Sequence, residues 1–275
     1  MTKLKCTAMV LLAVFFHSMV MVGQQSSVIG TSTPFGSNPS CGKYLQTRGF
    51  RMYYEVYGNG EPLLLIHGNG GSIASMQEQI PWFSKHYQVI AADSRSQGKS
   101  PDPHDSLSYE MMADDCNAMM DSLHLNHIRV IGWSDGGIIG LLMAIRHPGK
   151  VVKLAVTGAN IRPDSTAFPV ADIESMKVSY ANLVKQSQDP RVKNEIKLTR
   201  MMIDQPNITL QQLQQIQCPV LVICGDHDLI KPEHTLEIYR SIRDARLWIL
   251  PGSGHDTCIK FSDDFNNQVE RFFKL

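Results

Sequence analysis

Ile128-Arg129-Val130-Ile131-Gly132-Trp133-Ser134-Asp135-Gly136-Gly137 is a short β-branched run followed by Gly-Trp-Ser-Asp-Gly, and an apolar helical pattern from Ile138 to His147 comes next. A serine set between a strand and a helix sits at the tip of a sharp turn. Glycines two residues before and after it are what such a turn requires, because a Cβ at either place would clash. The turn exposes the hydroxyl and puts the next backbone N–H, that of Asp135, at a helix N-terminus, where it can stabilise a developing negative charge. A five-residue Gly-x-Ser-x-Gly match also arises by chance, so its weight depends on the partners found elsewhere in the chain.

Working outward, Leu63-Leu64-Leu65-Ile66 is a wholly apolar run, as expected of a parallel strand covered on both faces. It ends in His67-Gly68-Asn69-Gly70-Gly71, a loop whose glycines let backbone approach a substrate, with Asn69 in the donor slot. No Gly-Lys-Ser/Thr follows directly, Ser72-Ile73-Ala74 coming next, which removes the phosphate-loop reading of this loop. Further strands are expected over Arg51–Tyr57, Val89–Ala92, Leu154–Thr157, Pro219–Cys224 and Leu247–Leu250. Tyr109–Leu123 reads as an amphipathic helix whose methionines (Met111, Met112, Met119, Met120) belong to the core rather than to a ligand box. From residue 160 to 217 only helix-like stretches appear, Val170–Gln188, Pro190–Met202 and Thr209–Gln217, and a last helix is expected over Ser262–Phe273. A helical insertion of that size between strands is where a lid over a site would lie.

Two more loops at strand ends carry chemistry. Gly225-Asp226-His227-Asp228 precedes Pro232, and Gly252-Ser253-Gly254-His255 follows the last strand. A serine is a poor nucleophile until a histidine base, itself oriented by a carboxylate, takes its proton. Ser134, Asp228 and His255 supply that set in the order Ser–acid–His. Gly-x-x-Asp-x-x-x-Pro selects Asp228 as the acid and leaves Asp226 to stabilise the turn. His67 is expected to shape its loop by hydrogen bonding. His86, His104, His124, His127, His147 and His234 are expected in surface or capping roles. His227 between two aspartates does not make a zinc site.

These residues together resemble the α/β-hydrolases across 44–275. More narrowly, Gly132-Trp133-Ser134-Asp135-Gly136-Gly137, Gly158-Ala159-Asn160, and Gly254-His255 with Phe261-x-x-x-Phe265-Asn266 resemble the biphenyl hydrolase-like group that includes valacyclovir hydrolase. The resemblance implies an α/β fold: a mostly parallel eight-stranded sheet flanked by helices, with a helical lid inserted after the sixth strand. It implies a serine hydrolase cleaving small carboxylic esters, with Ser134, Asp228 and His255 catalytic and the backbone N–H groups of Asn69 and Asp135 as the oxyanion hole. Gly68, Trp133 and Asp135 would touch substrate, Asp135 by binding the ammonium group of an α-amino-acid ester. The competing role for Asp135 is a cap on the following helix. The same triad serves C–C bond hydrolases of meta-cleavage products, perhydrolases and aminopeptidases, and a non-catalytic ligand-binding homologue is the rival of another class. Epoxide hydrolases and haloalkane dehalogenases are disfavoured, because Ser134 holds the place of their aspartate nucleophile.

At 275 residues, 43% hydrophobic and 19% charged, the chain suffices for one large α/β domain. Its formal net charge of zero gives no support for a nucleic-acid or anionic-membrane partner. Lys3 and Lys5 ahead of the apolar run Ala8–Val22 and Gly23 read as a secretory signal peptide over 1–23. A Ser/Thr/Gly/Pro-rich linker is expected over 24–43, and export to the periplasm or medium without stable membrane association. Five cysteines would remain, an odd number that leaves at least one unpaired within the chain. No metal-ligand spacing is present, and the mechanism calls for neither metal nor organic cofactor.

Overall fold

Alternation explains how a four-residue apolar run serves two cores. In the computed structural model, which describes residues 34–275, Leu63 and Leu65 face one layer while Leu64 and Ile66 face the other. The same split divides Val89 and Ala91 from Ile90, Ala155 from Leu154 and Val156, and Leu221 and Ile223 from Val220 and Val222. The sheet is therefore buried on both faces.

In chain order the elements are β1 (Gly42–Thr47), β2 (Phe50–Tyr57), β3 (Glu61–Ile66), α1 (Ile80–Phe83), β4 (Tyr87–Ala92), α2 (Tyr109–Ser122), β5 (Ile128–Trp133), α3 (Asp135–Arg146) and β6 (Val151–Thr157). Then come α4 (Val170–Lys185), α5 (Pro190–Asp204), α6 (Leu210–Leu213), β7 (Val220–Gly225), α7 (Pro232–Ser241), β8 (Ala245–Leu250), α8 (Thr257–Lys260) and α9 (Ser262–Lys274). The eight strands lie in the order β1-β2-β4-β3-β5-β6-β7-β8. β1 and β2 pair antiparallel, β2 meets β4 antiparallel, and every pairing from β4 to β8 is parallel. Parallel strands end together, so the loops after β3, β5, β6, β7 and β8 meet at one edge, where open α/β sheets place their sites.

Helices cover both faces. Met112, Met119 and Met120 of α2 and Leu141 and Leu142 of α3 fill one layer, as expected of those three methionines, whereas Met111 is half-buried outside it; Ile80 and Phe83 of α1 and Phe265, Val269 and Phe272 of α9 fill the other. Ser108 starts α2 by accepting the Met111 N–H at 3.1 Å.

Two findings differ from the sequence reading, and a third settles a pairing that it left open. β1 was not expected. It is a mostly exposed edge strand joined to β2 through Arg48 and Gly49, both at positive φ (43° and 86°), a tight hairpin without the usual Asn-Gly. The end of the expected linker is docked rather than loose. Buried Glu55 accepts the N–H groups of Gly36 (2.7 Å) and Asn38 (2.9 Å) and the hydroxyls of Tyr53 and Tyr57, and Phe35 stacks edge-on against Tyr57. Finally, none of the five described cysteines is paired. The proposed signal peptide, 1–23, lies outside the described residues.

Between β6 and β7 stand only α4, α5 and α6, so the insertion is helical as expected. α5 is held down on the β4 side: Asn194 Nδ2 donates to the Ser96 carbonyl, Lys197 Nζ to the His104 carbonyl, and Gln205 bonds Leu107 and Tyr109. α4 buries none of its residues, and Val170, Val178 and Val184 on it are exposed.

Candidate active site

The turn after β5 has the strain that its sequence implies. Ser134 sits at φ 56°, ψ −118°, and a Cβ on Gly132 would run into the Gly136 carbonyl, one on Gly136 into the Ile66 carbonyl. The Ser134 carbonyl accepts the Gly137 and Ile138 N–H groups and so starts α3, while its own N–H donates to Thr157 of β6 at 2.8 Å. The hydroxyl is left pointing at the loop after β8.

There, His255 Nε2 lies 2.9 Å from Ser134 Oγ, and His255 Nδ1 lies 2.7 Å from Asp228 Oδ1. The Asp228 side chain is fully buried. A carboxylate can only accept, so Nδ1 carries the proton and Nε2 presents its lone pair to the serine hydroxyl. Asp228 Oδ1 also accepts the Ile230 N–H at 3.0 Å, which fixes the acid. Trp133, expected against substrate, donates its indole N–H to the His255 carbonyl at 2.8 Å and so braces the histidine loop. Gly158, at φ 64°, leaves room for the ring: a Cβ there would come within 2.7 Å of His255 Cε1. Asp226 takes the turn-stabilising part, accepting the Gly252 N–H at 2.8 Å, and His227 beside it is exposed.

The loop after β3 is built as rigidly. His67 is buried; its Nε2 accepts the Ser94 N–H at 3.0 Å, so Nδ1–H donates to the Gly68 carbonyl at 2.7 Å. Burial pushes its pKa down and keeps it neutral. Gln97, which the sequence did not single out, accepts the Gly70 N–H at 2.6 Å. Within the described residues neither the Asn69 nor the Asp135 N–H is used in a hydrogen bond. Gly68 packs near Ser134, since a Cβ on it would stand 3.2 Å from the serine Cβ.

Asp135 is not at the surface. It is 3% exposed, with Oδ2 accepting Asn69 Nδ2 at 2.8 Å and Oδ1 accepting the hydroxyl of Tyr109 at 2.8 Å. No backbone N–H of α3 donates to its side chain, so what it gives the helix is only the dipole interaction of an acid in the first turn. Desolvation pushes its carboxyl up to about 6, against the lowering pull of Asn69, Tyr109 and His255. An acid whose folded pKa is raised opposes folding once it ionises: stability falls as pH climbs from about 4, the ordinary aspartate value, to about 6. We expect Asp135→Asn to be more stable than wild type at pH 7 by up to about 3 kcal/mol, more than the ~0.3–1 kcal/mol by which the α3 dipole favours the charge. Urea unfolding at pH 7 and pH 4 checks this; a gain of equal size at both would contradict it.

His234 corrects one expectation. It is buried, not a surface residue: Nε2 accepts the Ile161 N–H at 3.1 Å, and desolvation lowers its pKa to about 4. His147 does close α3, with Nε2 3.0 Å from Asp114.

The fold recurs among known proteins. A family model for the alpha/beta hydrolase fold matches residues 61–181. The serine hydrolase BPHL of Homo sapiens is 27% identical over 89% of this chain and 90% of its own length. The putative carbamate hydrolase RutD of Caulobacter sp. (strain K31) is 26% identical over 80% of this chain and 95% of its own. Among solved structures, the enol-lactonase of Burkholderia xenovorans LB400 superposes with a TM-score of 0.70 at 21% identity, covering 85% of this chain and all of that one.

Proposed function

We propose that this chain, a member of the α/β-hydrolase superfamily, cleaves small carboxylic esters through an acyl-enzyme on Ser134. The observation that carries the reading is the unbroken relay of 2.9 Å and 2.7 Å from Ser134 through His255 to a buried, pinned Asp228. Ser134 Oγ attacks the ester carbonyl while His255 Nε2 takes its proton. The tetrahedral oxyanion is held by the N–H groups of Asn69 and Asp135. Collapse breaks the C–O bond, and His255 returns the proton to the departing alcohol. A water activated by the same nitrogen then releases the acid. Asp228 and Asp135 beside the nucleophile favour neutral or cationic acyl groups over anionic ones. Helices α4 and α5 would serve as the lid. The basic and apolar pattern of residues 1–23 supports export of the enzyme.

A non-catalytic binding protein has no physical need for a strained serine and an aligned base. The discriminating experiment is reaction of the purified chain with a fluorophosphonate probe followed by peptide mapping. Stoichiometric labelling at Ser134 is expected. No labelling, or labelling elsewhere, would remove the serine-hydrolase reading.

A further inference from the structure

We propose that Asp135 is a positioning residue whose carboxylate ties the two oxyanion loops together, setting the distance between the Asn69 and Asp135 N–H groups; this rests on Ser134 being the nucleophile. The two residues are 66 apart in sequence and arrive from different elements, the loop after β3 and the first turn of α3. Their backbones would supply the two donors of the hole, and their side chains bond each other at 2.8 Å. Among the described residues no other hydrogen bond joins 67–71 to 134–137. The His67–Ser94 and Gly70–Gln97 bonds fix the β3 loop against the loop after β4; toward the elbow the β3–β5 ladder reaches only the Ile66–Gly132 pair, and beyond it the Asn69–Asp135 bond is the hydrogen bond that spans the two loops.

The second carboxylate oxygen is committed as well. Tyr109 Oη donates to Oδ1 from the first turn of α2, fully buried, and Gln205, the residue after α5, in turn accepts the Tyr109 N–H. With both oxygens bonded inside the protein, an ammonium group could reach Asp135 only by displacing one donor. A tie, by contrast, needs this arrangement: a buried acceptor with two fixed donors has one orientation. Oxyanion-hole donors act by preorganisation, and a small displacement of one weakens transition-state binding while leaving ground-state binding alone.

The test uses the purified full chain and p-nitrophenyl acetate, a neutral ester, with fluorophosphonate labelling of each variant as a separate report on Ser134. Asp135→Ala and Asn69→Ala should each lower kcat about 10- to 100-fold with little change in KM. The double variant should be no worse than the poorer single, because both break the same bond. Asp135→Asn should recover most of the loss: its amide oxygen accepts from Asn69 and its amide nitrogen donates to the Tyr109 hydroxyl, without charge. Additive losses overturn the tie, as does Asp135→Asn being as impaired as Asp135→Ala. So does a loss seen only in KM and only with an α-amino ester, which would make Asp135 an ammonium receptor. If Asp135→Ala does not fold, Asn69→Ala and Asp135→Asn still decide. Wild type unlabelled at Ser134 would bring down the underlying reading, whereas wild type labelled with a normal Asp135→Ala brings down the tie alone.

Discussion

Ser134→Ala is expected to lower kcat on any ester the wild type cleaves by about 10⁶-fold while leaving the fold unchanged. The hydroxyl's one hydrogen-bond partner is His255, so alanine deletes the nucleophile and leaves no buried group stranded. The strain at φ 56° belongs to the backbone and stays with either residue. Residual rate over water, on the order of 10³- to 10⁴-fold, would come from the oxyanion hole and substrate binding. His255→Ala should cost about as much, and the double variant no more than either single, because the two groups act as one unit. The measurement is steady-state hydrolysis beside thermal unfolding. Ser134→Ala retaining a tenth of wild-type activity with unchanged unfolding would mean that another residue attacks the substrate.

Much of this architecture was legible because strict steric demands write themselves into sequence. The elbow needs glycine at 132 and 136, the doubly covered strands need apolar runs, and four functional loops end four strands. Local signals failed where they were weak. β1 has only a poor alternation because it lies exposed at the edge, and its Arg48-Gly49 turn lacks the usual residues. α7 begins with Pro232, a start signal that passed unread, and His234 lies on its inward stripe four residues before buried Ile238, the spacing that could have placed it. The long-range polar contacts outside the triad were beyond reach. Tyr109 looked like one more apolar member of α2, and nothing in the chain announces that its hydroxyl meets Asp135 or that the Asp135 carboxylate turns inward to Asn69. Periodicity assigns a face to a side chain but says nothing of the partner waiting there.

The Asp228 position separates two services a triad acid performs, orientation and charge. Asp228→Ala removes both and should lower kcat by about 10⁴-fold. Asp228→Asn ordinarily does comparable harm because the amide nitrogen turns toward the histidine, donates to Nδ1 and enforces the wrong tautomer, a loss of roughly 10⁴-fold. Here the Ile230 N–H points at the same oxygen that faces His255, at 3.0 Å. An asparagine that turned its NH₂ to that place would set two donors against each other, so the amide oxygen should stay and keep Nδ1–H in position. What is lost is the negative charge that stabilises the imidazolium as the proton moves. We therefore expect Asp228→Asn to retain about 10- to 100-fold more activity than Asp228→Ala, since the histidine keeps its tautomer and loses only that charge. Steady-state kinetics on one ester across pH 5 to 9 checks both variants. Asp228→Asn falling to the level of Asp228→Ala would overturn the expectation that the Ile230 N–H holds the amide oxygen toward Nδ1 and preserves the tautomer.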